Sequence, residues 1–265
     1  MALSLNQQAQ IVRRYKAAAT LSDTAARELV VRAVENFLSG SRNSRQVRFD
    51  LEKIIRTAYR TSARAAMSAA REQAGKGKRW APVSKDLTSE TLDRLLQDVR
   101  RNLNEFKESD KGDTAYRRAV LRFQLSATVA AQKGFSDGQK ISFDVLDQDG
   151  ERVRKHWIAN FDGHQPCDHC VSLHGLEVEA ASEFPRPVGV SIYVDLYGPP
   201  LHPRCQCTAL YVVSPDPSER LDVQEATKPT MIDSQTIKNL PLSIFKAVIG
   251  AVTRALDLLR KAVGL

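Results

Sequence analysis

Apolar residues recur every three or four positions through the first half of the chain, which predicts a series of amphipathic helices. Ser22 and Asp23 offer an N-cap between the first two helices, and Gly40 ends the second. Gly134 is expected to end the last helix of the series. The predicted helices cover residues 3–19, 23–40, 45–74, 84–109 and 113–133.

The pattern changes after Gly138. Residues 141–146 alternate between apolar and polar side chains, as expected for a strand with one exposed face. Residues 155–160 and 206–213 also read as short strands, and the latter alternates clearly. Residues 171–200 contain four prolines, which predicts loops.

The end of the chain predicts a separate helix. Residues 214–240 form a polar linker, and residues 241–265 form an amphipathic helix. Such a helix must bury its apolar stripe, either against its own helical region or in a groove of another subunit. Its polar face has too few cations to favour adsorption to a membrane. The stripe comprises Ile244, Phe245, Val248, Ile249, Val252, Leu256 and Leu259.

Charge is distributed unevenly along the chain. The net charge of +8 arises from a basic first part, since residues 1–155 carry 30 Lys and Arg against 19 Asp and Glu. The densest basic run is Lys76, Lys78 and Arg79, beside Trp80. It could contact nucleic acid or phosphate, or it could be an ordinary solvated loop.

All four cysteines fall in two short clusters. Cys167 and Cys170 form a C-x-x-C pair, and His202, Cys205 and Cys207 form an H-P-x-C-x-C sequence. C-x-x-C places two thiolates on one turn at the spacing of a tetrahedral edge, and a distant second pair completes a structural zinc site. We expect four of these five residues to bind Zn²⁺.

The identity of the fourth ligand is left open by the sequence. Cys205 and Cys207 can share an ion only if the backbone turns between them, because alternate residues of a strand point to opposite faces. His202 and Cys205 share a turn more readily. Disulfides are the alternative to metal if the protein functions outside a reducing compartment.

These elements predict an α+β fold with four parts. Residues 1–138 are a basic, predominantly helical region, and residues 139–213 are a small zinc-clamped module that contains β-strands. Residues 214–240 are the linker, and residues 241–265 are the amphipathic interaction helix.

No catalytic motif accompanies the cysteines. The segment Pro166-Cys167-x-x-Cys170 matches half of the zinc deaminase signature, but the chain contains no His-x-Glu sequence for the other half. It also contains no G-x-S-x-G, P-loop or Gly-rich phosphate cradle. No apolar run is long enough to span a membrane. The sequence therefore predicts a protein that is neither an enzyme nor a membrane protein.

The cysteine region resembles the Mu F-like family of minor head proteins of tailed phages. The resemblance covers roughly residues 110–213 and depends on His156-Trp157-Ile158-Ala159-Asn160, Cys167-x-x-Cys170, Leu173-His174-Gly175 and the segment from Pro199 to Cys207. It implies a structural role in head morphogenesis, in association with the portal or major capsid protein. The protein would then lie in the virion, inside the head, and in the host cytoplasm during assembly.

Two other functions remain open at this point. The basic helical region is also compatible with a DNA-binding accessory protein inside the head. An unrecognised zinc enzyme is the third possibility, although no residues for it are evident.

Overall fold

The computed structural model describes residues 3–74, 90–148, 150–160, 165–188, 196–202, 205 and 207–213. These residues form an α+β fold in which helix predominates. No helix among them is long and apolar enough to cross a lipid bilayer. The elements are α1 (Leu5–Leu38), α2 (Ser44–Ala74), α3 (Glu90–Glu108), α4 (Asp113–Gln148), β1 (Val153–Ile158), α5 (Asp168–Leu173), β2 (Glu177–Glu179) and β3 (Thr208–Val213).

Several sequence predictions fall outside the described residues. They are the basic residues Lys76, Lys78 and Arg79, the linker over residues 214–240, and the whole C-terminal helix with its apolar stripe. The structure therefore bears on neither the proposed basic loop nor the proposed interaction helix.

Helix α1 is continuous, so the predicted break at Ser22 and Asp23 is wrong. The hydroxyls of Thr20 and Thr24 donate to carbonyls one turn earlier in the helix, which lets these polar residues stay within it. The Asp23 carboxylate accepts a hydrogen bond from Thr128 of α4 at 2.9 Å, and burial raises the pKa of Asp23. A side chain that could cap a helix is used here to join two helices.

Helix α4 continues through Gly134 and through residues 141–146, so both the predicted helix end and the predicted strand are wrong. A Cβ atom added to Gly134 would lie 2.2 Å from the carbonyl oxygen of Tyr59 in α2. A Cβ atom at Gly138 would lie 2.3 Å from the carbonyl oxygen of Ala63. The two glycines allow close contact between helices, and the predicted boundary after residue 138 falls inside α4.

Helix α2 is the centre of the helical region and packs against α1, α3 and α4. Its contact with α4 includes a polar group within the apolar core, since the buried Lys133 forms an ion pair with Asp137 at 2.9 Å. The Tyr59 hydroxyl of α2 donates to the same carboxylate at 2.7 Å. Buried charges need such partners, and this group fixes the register of α2 against α4.

The sheet has the strand order β2-β1-β3 and is antiparallel throughout. Strands β1 and β3 confirm the predicted strands near residues 155–160 and 206–213, and Trp157 pairs with Ala209 in their register. The short strand β2 lies in the stretch that was predicted to be loop. Because Ile158 pairs with Thr208, the sheet places the segment leading to Cys167 and the end of the second cluster, at Cys207, at the same end of β1.

Hydrogen bonds and ring contacts fix the sheet to the helices. The Gln8 side chain of α1 bonds both main-chain groups of Val213, donating to its oxygen at 2.8 Å and accepting from its nitrogen at 2.9 Å. Gln73 of α2 donates to the oxygen of Tyr211 at 2.9 Å. Phe143 of α4 stacks on the Tyr211 ring with centroids 5.3 Å apart. The helices thus provide a fixed base for the module that contains the sheet and the cysteines.

Lys155 of β1 holds the following loop against the sheet. This lysine is fully buried, and its Nζ lies 5.0–5.7 Å from the ring centroids of Phe184, Tyr197 and Tyr211. It also donates to the oxygen of Tyr197 at 3.0 Å. A buried ammonium group requires partners. These contacts therefore fix the positions of Phe184 and Tyr197, which both belong to the part of the chain between the two cysteine clusters.

Candidate metal centre

Four cysteines and one histidine meet beside the sheet. Cys167 is the N-cap residue of α5, and Cys170 lies in the first turn, so the C-x-x-C spacing puts both thiols at one helix end. His202 and Cys205 belong to one turn, in which the Cys205 nitrogen donates to the His202 oxygen at 2.9 Å. Cys207 directly precedes β3. All five sequence-predicted donors are therefore brought together.

The distances between donor atoms match the edges of a zinc tetrahedron. The Nε2 atom of His202 lies 3.3 Å from the sulfur of Cys167 and 3.5 Å from that of Cys170. The sulfurs of Cys170 and Cys205 are 3.8 Å apart. Ordinary Zn–S and Zn–N bond lengths give tetrahedral edges of about 3.8 Å between two sulfurs and about 3.5 Å between sulfur and nitrogen.

The donors form two groups of three that share Cys170. One group contains Cys167, Cys170 and His202, and the other contains Cys170, Cys205 and Cys207. Within each group the ligand atoms lie within 4.8 Å of one another. Cys170 is therefore the donor on which either possible set of ligands depends.

The space between these donors has the size of one ion. The cavity that they line, together with Asn160 and Pro166, has a volume of about 10 Å³. Cys170, Cys205 and Cys207 are at most 3% exposed, so the site is enclosed by protein. A site of this kind can hold an ion but leaves no room for a substrate beside it.

The thiols cannot all ionise without a cation. Hydrogen bonds from Cys170 and Cys207 lower the pKa of Cys205 to about 2, so this thiol takes the negative charge. The same bonds to Cys205 and Cys207, with burial, raise the pKa of Cys170. The hydrogen bond from Cys170 favours the thiolate form of Cys207. The hydrogen bond to Cys205 and burial outweigh this effect and raise the pKa of Cys207 to about 12. A divalent cation would allow several thiolates at once.

The geometry favours His202 over Cys207 as the fourth ligand. The His202 ring nitrogen is at tetrahedral-edge distance from two thiols that belong to the other cluster. Cys207 lies within 4.8 Å of the sulfurs of Cys170 and Cys205, and the buried indole of Trp157 favours its thiolate form.

Substitution of the two remaining candidates separates their roles. We expect His202→Ala to reduce bound zinc from about one ion per chain to well under one half, because it removes one of four ligands. Cys207→Ser should retain about one ion per chain with a modestly lower affinity. Elemental analysis after dialysis against a weak chelator measures both. Zinc loss in Cys207→Ser with retention in His202→Ala would reverse the assignment.

A disulfide does not describe the structure. All four cysteines are free thiols, and the 3.8 Å between the sulfurs of Cys170 and Cys205 is far longer than an S–S bond of about 2.05 Å. The arrangement is compatible with a set of metal ligands.

Lys16 is a neighbour of the site that the sequence did not reveal. It lies on α1, and its ammonium group donates to the main-chain oxygen of Cys207 and to the hydroxyl of Thr208. Burial lowers the pKa of Lys16 to about 8, partly offset by attraction to Cys205 and Cys207. Its sequence distance from the cysteines, and an ordinary place in an amphipathic pattern, gave no signal of this contact.

Two other described histidines, His156 and His174, have partners outside the cavity. His174 accepts a hydrogen bond from the Ala159 nitrogen at 3.1 Å, and burial lowers the pKa of His174. His156 lies in β1, 3.8 Å from the Glu177 carboxylate. Neither residue lines the cavity between the cysteines.

Comparison with known proteins gives no relative. Neither a protein-family model, nor a curated protein, nor a solved structure matches this chain. The function is therefore inferred from the site and from the sequence pattern.

Proposed function

We propose that this protein is a structural minor head protein of a tailed phage. In this proposal, Zn²⁺ bound by Cys167, Cys170, Cys205 and His202 ties a long loop to the sheet beneath it. The observation that carries the proposal is the meeting of the two cysteine clusters in one ion-sized cavity. The same two clusters carry the resemblance to the Mu F-like family.

The geometry of the cavity supports a structural ion. Catalytic zinc sites keep one position open for water or substrate, whereas structural sites are closed by four protein ligands. Here five donors surround about 10 Å³, and three of the thiols are buried. The ion would stabilise the module, because metal binding contributes directly to folding where the unfolded chain has no preformed site.

A zinc enzyme is disfavoured by the position of the larger cavity. A cavity of about 590 Å³ lies between α1 and α4, where Lys16, Asp23, Gln132 and Asn160 line it. None of the five metal donors lines that cavity. Asn160 lines both cavities, but no metal donor lines the larger one, so we propose no reaction for it.

The proposed partners are the portal protein or the major capsid protein. A helical region bearing a rigid metal-clamped module suits a protein that joins other subunits in assembly. The predicted C-terminal helix would bind one of them through the stripe from Ile244 to Leu259. The protein would act in the host cytoplasm during assembly and remain inside the head.

Mass spectrometry of purified heads tests this role. Heads are assembled from the phage genome that encodes the chain, with and without the gene for it. We expect the protein in full heads at a copy number below that of the major capsid protein, and the Cys170→Ser variant should be depleted from them. Absence of the wild-type chain from both proheads and full heads would refute the head role, whatever its metal content.

A further inference from the structure

Helix α2 presents one row of side chains directly away from the protein core. Positions three or four residues apart lie on the same side of a helix. The core side of α2 is occupied by apolar residues such as Leu51 and Ile55, which are fully buried. The opposite side, here called the outward face, consists of Arg45, Phe49, Lys53, Arg56 and Arg60.

The four cations of the outward face have no carboxylate partner. Within the described part of the chain, no ion pair or hydrogen bond to an acid involves Arg45, Lys53, Arg56 or Arg60. Glu52, at the flank of the row, is held by Arg100 at 2.8 Å and by Arg48 at 3.9 Å. No ion pair among the described residues thus neutralises these four cations, although the Asp50 carboxylate follows Phe49 in the chain.

Arg60 adds a polar atom that lacks a partner. Its Nε is buried and has no acceptor among the described residues. A buried N–H without a partner is unfavourable, and an anionic oxygen could pair with it only after the Arg60 side chain moves.

Phe49 stands in the middle of the cations with its side chain in solvent. It is 66% exposed, more than any other aromatic residue in the part of the chain that the structure describes. An exposed ring adds nothing to the core of this helix, but a flat aromatic surface between cations is suited to stacking on a nucleobase.

We propose that the outward face of α2 binds single-stranded nucleic acid, with Arg45, Lys53, Arg56 and Arg60 on its phosphates and Phe49 stacked on a base. From residue 45 to residue 60 the row is about 22 Å long, enough for several nucleotides. The inference goes beyond the proposed head role and does not depend on it. It also lies at a different place from the basic residues Lys76, Lys78 and Arg79.

Charge and shape favour this partner over a membrane. An amphipathic helix that adsorbs to lipid inserts an apolar face, but the apolar face of α2 is buried in the core. The outward face offers lipid only one apolar side chain. Acidic proteins share the charge complementarity, and they form the comparison in the experiment.

Fluorescence anisotropy with the full-length, zinc-loaded chain tests the proposal. The probes are an oligothymidine of about 20 nucleotides, a duplex of the same length, and polyglutamate as an acidic polypeptide. One variant combines Arg45→Gln, Lys53→Gln and Arg56→Gln, and a second is Phe49→Ala. The matched control combines Arg94→Gln, Arg101→Gln and Arg117→Gln, which are exposed arginines paired with acids elsewhere on the surface.

The expected results differ among the variants. The triple variant should bind the oligothymidine about 100-fold more weakly at low salt, and its affinity should depend less steeply on salt, with a slope smaller by about 2. Phe49→Ala should weaken binding about tenfold and leave the salt slope unchanged. The control, which changes net charge equally, should stay within about twofold of wild type. Circular dichroism verifies that each variant is folded.

Several outcomes would overturn the proposal. They are failure of the wild-type chain to bind the oligothymidine at low salt, equal losses in the triple variant and the control, and no effect of Phe49→Ala. Equal affinity for polyglutamate would show a general polyanion surface and would also refute it. Tighter binding of the duplex, unaffected by Phe49→Ala, would exclude base stacking.

Discussion

Replacement of Cys170 by serine should remove the metal and unfold the module around it. Cys170 belongs to both groups of donors and is 1% exposed, so neither set of four ligands survives its loss. Structural Zn²⁺ contributes about 10–16 kcal/mol in zinc-finger peptides, as much as the whole stability of a typical domain. We expect bound zinc to fall from about one ion per chain to nearly none.

The helices should outlast the module in this variant. The core between α1, α2, α3 and α4 is a separate apolar cluster from the one that contains Cys170. Far-ultraviolet circular dichroism should therefore retain most of its helical signal, while limited proteolysis should cut within residues 161–206. His169→Ala is the matched control, because His169 lies between Cys167 and Cys170 in the sequence but does not line the cavity. Retention of one zinc by Cys170→Ser would contradict the assignment of the site.

Substitution of alanine for Gly134 or Gly138 should destabilise the helical region strongly. In a helix interior this change ordinarily stabilises by about 1 kcal/mol. Here the added methyl group would lie 2.2 Å or 2.3 Å from a main-chain oxygen of α2, which no side-chain rotation can relieve. The helices must move apart, and we expect each variant to lose about 3 kcal/mol of the free energy of unfolding. Urea denaturation followed by circular dichroism measures the loss.

Gly112→Ala is the matched control for the glycine variants. The atoms nearest to a Cβ atom at Gly112 belong to the Asp110 carboxylate, at 3.4 Å, and that side chain can move. Its effect should stay within about 0.5 kcal/mol. Stability equal to wild type in Gly134→Ala and Gly138→Ala would mean that α2 and α4 do not approach each other as described.

The metal site could be predicted from sequence because its chemistry is concentrated in two motifs. The spacing of Cys167 and Cys170 fixes two donors on one turn, and His202 with Cys205 provides a second turn. Such local constraints do not depend on the rest of the fold. The choice between His202 and Cys207 could not be made in that way, since it depends on how the chain turns before β3.

The helix boundaries were missed where tertiary contacts override local signals. Gly134 would usually end a helix, but the close approach of α2 requires glycine at that place. Asp23 would usually cap a helix, but its carboxylate instead accepts a hydrogen bond from Thr128 of α4. Lys16 reaches the site by packing alone. These contacts join residues far apart in the chain, and one sequence shows no trace of them.

The hydrogen bonds between Gln8 and Val213 bring two distant points of the chain side by side. The first and last described segments of the chain therefore lie next to each other. The described part of the chain ends, at Val213, beside the first turns of α1. A fusion tag at the amino terminus and an insertion after residue 213 would both be attached on the same side of the protein. Circular permutation that joins these two points with a short linker should leave the fold intact.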